Sequence, residues 1–222
     1  MLLDAPGGGA LVPGQLIPSG PFAGLKYQHY RTGMVDAPWK YVMYSKKGEA
    51  RSPSRHYHCM GLDEIEALPV GDLFAKDAVL LMWVPDGFLP HGIRIAEGWG
   101  FTYKTVGFYW VKLTATGKEH MGPGYWTRAN PEQCLLLTRG RPARRSRAVR
   151  RLITSPVREH SRKPDEAFER ARQLVAGPYV ELFSRAYRPG WSTWGNEVNK
   201  FASAPDHVLD LVGTYADTEH LI

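Results

Sequence analysis

The chain has 222 residues, 28 of them basic and 22 acidic, which gives a formal charge of +6; 43 % are hydrophobic. No apolar run reaches the 18–20 residues of a membrane span, and no basic stretch with an apolar run opens the chain, so we expect neither a membrane protein nor a secreted one. Cys59 and Cys134 do not form a Cys-x-x-Cys pair. They predict reduced thiols in a cytoplasmic protein without structural zinc.

The pattern predicts a Gly/Pro-rich lead-in over 1–24, a central domain over 25–205 and a C-terminal extension over 206–222. Within the domain, apolar runs of strand length alternate with amphipathic helices. The predicted strands are 32–35, 78–85, 101–111, 133–138, 149–154 and 179–184, and the predicted helices are 62–68, 88–99 and 163–175.

This alternation favours an α/β fold with an open, mostly parallel sheet and helices on both faces. Strands such as AVLLMWVP (78–85) are apolar throughout, which is typical of burial on both faces. Ligands of such sheets bind beyond the carboxyl ends of the strands. Asp36 and Arg185 follow two of the predicted strands, so we expect the functional site there.

The most informative motif is Asp36-Ala37-Pro38-Trp39, directly after the first strand. It resembles Asp-Pro-Pro-Trp, the signature of methyltransferases that act on the exocyclic amine of adenine. This amine is a poor nucleophile because its lone pair is delocalised into the ring. A carboxylate at Asp36 and the main-chain carbonyl of Ala37 can each accept one N–H and favour a nucleophilic geometry. Pro38 stiffens the turn, and the ring of Trp39 can stack on an unstacked base. An ordinary Asp-x-Pro turn is the alternative for these residues taken alone.

Residues 139–151 read RGRPARRSRAVRR and contain no acidic residue. Arginine forks match phosphate oxygens, so the run favours nucleic-acid contact, with Arg144, Arg145 and Arg147 as candidates. A solubilising loop is the alternative.

Two irregular stretches, 40–58 and 113–131, are candidates for reading the substrate sequence, since long loops of this kind are usually functional. Tyr57, between two histidines in the first of them, is a candidate substrate contact. No His/Cys cluster indicates a metal, and Gly7-Gly8-Gly9 does not match a dinucleotide-binding loop.

The chain resembles the adenine-N6 methyltransferases, a family that includes the catalytic subunit of the eukaryotic messenger-RNA methyltransferase and short phage and bacterial enzymes. The resemblance extends from about residue 33 to 201. It rests on ordered blocks that include VDAPW (35–39), GFYWVK (107–112), GYWTRANPEQCLLLTRG (124–140), SRKPDE (161–166), GPYVELFSR (177–185) and GWSTWGNEV (190–198).

The resemblance implies a Rossmann-like fold in permuted order, with the catalytic motif before the cofactor motifs, and S-adenosylmethionine as cofactor without a metal. Asp36 is then implied in both catalysis and cofactor binding, and Glu132 in lining the acceptor side. The implied cofactor-binding residues beyond Asp36 are Lys163, Glu181, Phe183, Arg185, Asn196 and Glu197.

This sequence departs from the family pattern at two places. Ala37 stands where the family has a proline, which keeps the carbonyl and loses rigidity worth about 0.5–1 kcal/mol. Residues 15–30 contain no acidic residue to read the cofactor adenine, which leaves main-chain groups near Ile17 and Pro18 as the alternative.

The sequence therefore predicts an adenine-N6 methyltransferase acting on DNA, with RNA as the alternative substrate and a homo- or heterodimer left open. A catalytically silent relative that binds nucleic acid as a scaffold is the main rival hypothesis, and Ala37 is the residue that favours it. A small-molecule methyltransferase fits the arginine run poorly.

Overall fold

A computed structural model describes residues 10–40, 59–124, 126–159, 162–198 and 200. Its helices are α1 (Leu62–Ala67), α2 (Leu89–Gly98) and α3 (Asp165–Leu174). The strands are β1 (Tyr30–Val35), β2 (Phe74–Val84), β3 (Thr102–Leu113), β4 (Glu132–Arg139), β5 (Leu152–Pro156), β6 (Tyr179–Leu182) and β7 (Trp191–Trp194). None of the helices in these ranges has the length and apolarity needed to cross a membrane.

The seven strands form one sheet in the order β5-β3-β4-β2-β1-β6-β7. Strand β4 is antiparallel to both of its neighbours, and the other pairs are parallel. The prediction of a mostly parallel α/β sheet is thus confirmed. The single reversed strand was not predicted, and it decides which residues reach the functional edge of the sheet.

Strand β2 shows why the sheet is covered on both sides. Leu80, Met82 and Val84 point into the cluster that also contains Ile65 of α1 and Ile95 of α2. The alternate residues Val79, Leu81 and Trp83 point into the opposite cluster, which contains Phe168 and Ala171 of α3. A continuous apolar run is therefore required, because successive side chains enter different cores.

Strand β7 is the one element that the sequence did not predict. It has only four residues and lies between Gly190 and Gly195, so its pattern resembles a turn-rich loop. It pairs in parallel with β6 and buries Trp191 and Trp194.

The described part of the predicted lead-in contributes to the core. Leu11, Ile17 and Phe22 are buried, and the indole of Trp194 donates a hydrogen bond to the carbonyl of Pro21 at 2.5 Å. Ile17 accepts from the amide of Gly24 and donates to the carbonyl of Leu25, so its main-chain groups already serve this local turn.

Candidate active site

A cleft of about 400 Å³, part of it open to solvent, lies where β1 and β6 end. Both strands are parallel neighbours in the sheet, so the residues that follow them meet at one edge. The cleft combines carboxylates, cations and apolar side chains. Its lining includes Met34, Asp36, Trp83, Arg162, Lys163, Phe168, Glu181, Phe183, Arg185, Ala186 and Arg188.

Four side chains of alternating charge form a chain across this edge. Lys163 Nζ lies 2.8 Å from Asp36 Oδ2 and 3.3 Å from Glu132 Oε2. Glu132 Oε1 in turn lies 2.5 Å from Lys112 Nζ. Because β4 runs against its neighbours, Glu132 at its first residue comes to the same edge as Asp36 after β1.

Within this row of four side chains, the electrostatic interactions favour the charged forms of Lys163 and Glu132, the two members whose pKa shifts. Burial alone would lower the pKa of Lys163, but the carboxylates of Asp36 and Glu132 outweigh it and raise that pKa. Burial alone would raise the pKa of Glu132, but Lys163 and Lys112 lower it. The lysine is therefore a fixed cation that holds Asp36 in one position, and Asp36 Oδ1 remains as an acceptor.

A second group of charges lies on the β6 side of the cleft. Arg188 bridges Glu181 (Nε to Oε2, 3.2 Å) and Asp165 (2.5 Å), and its guanidinium lies 3.8 Å from the ring centroid of Phe168. Burial raises the pKa of Glu181 to about 7, against the opposing charge of Arg188. Burial disfavours the charged form of Asp165, yet hydrogen bonds from Arg158 and Arg188 lower its pKa to about 2.

The chain turns sharply after β6. Phe183 has a φ of 60° and packs edge-on against Trp194. Gly195 approaches Ser184 so closely that a Cβ would lie 2.7 Å from the main-chain nitrogen and oxygen of Ser184. This contact brings the residues after β7 beside Arg185, whose Nε lies 3.6 Å from Glu197 Oε2.

The structure places the remaining cofactor candidate of the sequence at the same turn. Asn196 lies between Gly195 and Glu197, and its side chain is exposed. Lys163, Glu181, Phe183 and Arg185 all line the cleft, so five of the six cofactor candidates beyond Asp36 lie in the cleft or pair with a residue that does. Asn196 is placed by its neighbours in the chain.

The tetrapeptide after β1 is arranged differently from what its sequence suggests. The Ala37 carbonyl accepts one hydrogen bond, from the amide of Trp39 at 2.9 Å, and so keeps one lone pair. Pro38 is buried, and its carbonyl accepts from Met60. Trp39 is only 4 % exposed, its indole donates to the carbonyl of Trp83, and its ring stacks on Phe88. Trp39 thus packs in the core and presents no open face for a base.

The arginine run begins at the opposite end of β4 from the cleft. Strand β4 separates Glu132 from Arg139 by seven residues, about 23 Å of extended chain. Arg139 is not a phosphate ligand here, because its guanidinium donates to the carbonyls of Gly71, Phe74 and Trp99.

The next arginines of the run stay at that end. Arg144 pairs with Val175 after α3, and the amide of Arg145 donates to the carbonyl of Leu174. Arg144, Arg145 and Arg147 are exposed and available to a polyanion, but none of them is among the residues that line the cleft with Asp36. The run therefore does not form part of the cleft.

Sequence reasoning missed Lys112, Asp165 and Arg188. Lys112 is two residues after the buried Trp110 on β3, and only the pairing of β3 with β4 brings it to Glu132. Arg188 lies in the turn before β7, a strand that was not predicted. Tyr57 lies outside the described residues. Within the described ranges no cluster of three metal-ligating side chains occurs.

The mixed α/β sheet, with an acidic residue held by a largely buried lysine directly after β1, is that of a Rossmann-like methyltransferase. A family model described as MT-A70 matches residues 30–197, which include both strands that line the cleft. The chain belongs to the MT-A70 family.

Three relatives show how far the similarity extends. The Type II methyltransferase M.MunI of a Mycoplasma species is 30 % identical over 208 residues, which cover 86 % of this chain and 84 % of the relative. The N(6)-adenine-specific methyltransferase METTL4 of Mus musculus is 31 % identical over 186 residues, 76 % of this chain and 37 % of the relative.

The third relative is the N6-methyladenosine RNA methyltransferase MTA1 of Cryphonectria parasitica. It is 28 % identical over 188 residues, which cover 76 % of this chain and 51 % of the relative. The chain thus spans most of M.MunI, about half of MTA1 and less than half of METTL4.

Proposed function

We propose that this protein is an S-adenosylmethionine-dependent methyltransferase that modifies the N6 amine of adenine in DNA. The observation that carries the proposal is the 2.8 Å contact between Lys163 Nζ and Asp36 Oδ2 inside the MT-A70 match. A carboxylate held by a buried ammonium has one oxygen fixed and one left to accept an N–H. Such fixed geometry is what a reaction driven by positioning requires.

The cleft fits the proposed cofactor by its chemistry. S-adenosylmethionine, when bound, supplies a methyl group on a positively charged sulfur and leaves as a neutral thioether. The carboxylates of Asp36 and Glu181 suit its cationic end, and Arg185 suits its carboxylate. Met34, Phe168 and Phe183 supply apolar walls, while Asn196 and Glu197 would hold the ribose hydroxyls.

The chain's own residues would then prepare the amine. Asp36 Oδ1 accepts one N–H of the adenine amine, and the remaining lone pair of the Ala37 carbonyl accepts the other. These two contacts direct the nitrogen lone pair out of the ring plane and toward the methyl group. When the new N–C bond has formed, the surplus proton passes from nitrogen to Asp36 Oδ1, and Lys163 keeps Oδ2 occupied.

The choice of DNA is supported by the extent of the similarity. M.MunI, named as a Type II methyltransferase, is covered nearly end to end, whereas the RNA methyltransferase MTA1 is covered over half its length. RNA stays the alternative, and the exposed Arg144, Arg145 and Arg147 would serve either polyanion.

Incorporation of labelled methyl groups tests the proposal, with DNA and RNA digested separately and their nucleosides identified by mass spectrometry. We expect N6-methyladenine from the natural protein and none from Asp36→Asn. Asp63→Asn, an exposed carboxylate on α1, is the matched control and should be fully active. Absence of product from the natural protein on every DNA and RNA tested would favour the silent, scaffold-type relative.

A further inference from the structure

Trp126 differs from every other tryptophan of the chain. Its side chain is 97 % exposed, whereas the other six are at most 4 % exposed. Exposed apolar side chains are common on proteins, but a fully exposed indole is not, because it offers the largest apolar surface of any residue. The ring of Trp126 is therefore accessible to a partner outside the folded domain.

The backbone around Trp126 is built to present it. Asn130 ties the base of the loop to β3, since its side chain bonds both main-chain groups of Lys112 and the carbonyl of His120. The amide of Gly122 donates to the carbonyl of Ala129 at 2.8 Å and closes the loop.

At the tip of the loop, two glycines leave no space for a side chain, and the backbone of Trp126 is strained. A Cβ at Gly122 would lie 2.9 Å from the Ala129 carbonyl, and one at Gly124 would collide with the carbonyl of Thr127. Trp126 itself has a φ of 69°, in the left-handed region that residues other than glycine rarely adopt. Such strain is characteristic of functional positions.

The loop belongs to the catalytic edge of the sheet. It connects the end of β3 to the start of β4, and Glu132, six residues after Trp126, contacts Lys163. Six residues of extended chain span at most about 20 Å. That reach equals a few base steps of a nucleic acid whose target adenine lies at Asp36.

We infer that Trp126 is a substrate-binding residue whose indole stacks on a nucleobase close to the extruded adenine. The inference rests on the proposed function for the identity of the substrate. Stacking needs an open ring face and tolerates any base. Arg128 and Lys118, both exposed in the same loop, supply the positive charge that a phosphate backbone attracts.

A protein partner fits this surface less well. Stable interfaces bury about 800 Å² on each side. Among the described residues of this loop, only Met121 accompanies Trp126 as an exposed large hydrophobic side chain. A single ring in a loop that also carries the exposed Arg128 suits one base better than a protein surface.

Fluorescence of the whole chain tests the inference, because a single tryptophan dominates the solvent-exposed signal. Subtracting the spectrum of Trp126→Phe from that of the natural protein isolates the emission of Trp126. We expect this red-shifted component to be quenched when an adenine-containing oligonucleotide, single-stranded or duplex, is added. Trp126→Phe should show no comparable quenching.

Affinity gives the second measurement. Trp126→Ala should bind the oligonucleotide about 5- to 150-fold more weakly, the range for losing one stacked base, and Trp126→Phe should lose less. Met121→Ala, an exposed neighbour without a ring, is the matched control and should bind normally. Unfolding temperatures within about 1–2 °C of each other would show that all the variants fold.

Three results would overturn the inference. The first is an unchanged Trp126 signal on addition of the oligonucleotide. The second is an affinity of Trp126→Ala within twofold of the natural value. The third is quenching that follows protein concentration without nucleic acid, which would mean that a second copy of the chain covers the ring. Quenching by DNA without any methyl transfer by the natural protein would instead refute the proposed function and leave the stacking role standing.

Discussion

Lys163 Nζ and Asp36 Oδ2 lie 2.8 Å apart although 127 positions separate the two residues in the chain. The aspartate directly follows β1, the first strand of the chain, and the lysine lies two residues before α3. Their contact joins the two halves of the cleft.

Replacing Lys163 with methionine should abolish methyl transfer and lower the free energy of unfolding by about 3–5 kcal/mol, since it leaves the partly buried Asp36 without its cation and Glu132 with Lys112 alone. Denaturant unfolding and methyl incorporation measure the two effects. Lys112→Met is the control, because Glu132 keeps its contact with Lys163 in that variant. Equal losses in both variants would contradict a special role for Lys163.

Glu181 should make the stability of the protein depend on pH. Its pKa is about 7 in the folded state, above the ordinary value of 4.5 for a glutamate, so folding favours the protonated form. This contribution is complete below pH 4.5, is lost as the pH rises to about 7 and stays lost above it. At pH 8, Glu181→Gln should therefore be more stable than the natural protein by up to about 3 kcal/mol.

Denaturant titrations at pH 4.5, 6, 7 and 8 measure that difference. Glu169→Gln, which replaces an exposed carboxylate on the same helix α3, is the control for removing one carboxylate. A constant difference between Glu181→Gln and the natural protein would show that Glu181 ionises normally.

Trp39→Ala should act mainly by lowering the free energy of unfolding, and only secondarily on substrate binding. Trp39 is buried and stacks on Phe88, so its loss leaves a cavity that costs about 3–5 kcal/mol. Trp39→Phe should retain most of the stability. Thermal unfolding measures both, and Trp126→Ala, which removes an exposed indole, should change stability by less than about 0.5 kcal/mol.

The arginine run should divide into a structural residue and a binding group. Arg139→Ala should lower stability by about 1–3 kcal/mol, because buried carbonyls lose their donor. Replacing Arg144, Arg145 and Arg147 with alanine should instead leave stability unchanged, weaken binding to all DNA sequences alike and flatten the salt dependence of affinity. An unchanged slope of log affinity against log salt would mean that these three side chains do not contact phosphates.

Ala37→Pro should keep or raise the rate of methyl transfer. The carbonyl that accepts the adenine amine is common to both residues, and proline reduces the freedom of the turn. Initial rates with labelled cofactor decide the outcome. A loss of activity in a variant that unfolds at the natural temperature would show that the amide or the smaller side chain of Ala37 is needed.

The sequence was sufficient for the parts of the molecule that local chemistry determines. An apolar run such as that of β2 and the acidic first turn of α3 each predict one kind of element, and the element order then gives the fold class. The motif around Asp36 predicted the edge at which the cleft lies.

The sequence was not sufficient where position depends on strand direction. Nothing in QCLLLT indicates that β4 runs against its neighbours, yet that reversal brings Glu132 to the cleft and takes Arg139 away from it. The burial of Trp39 likewise depends on Phe88 and Trp83, which come from other elements.

The pairing of β1 with β6 affects how the protein folds during synthesis on the ribosome. A hydrogen bond from Thr32 Oγ1 to the carbonyl of Ala176 spans 144 positions, so β1 gains its second partner late in synthesis. At about 5–20 residues per second, a ribosome needs roughly 7–30 s to add that much chain. The nascent first strand must wait that long with one edge unpaired, and a product released early would carry the acceptor aspartate without the lysine that fixes it.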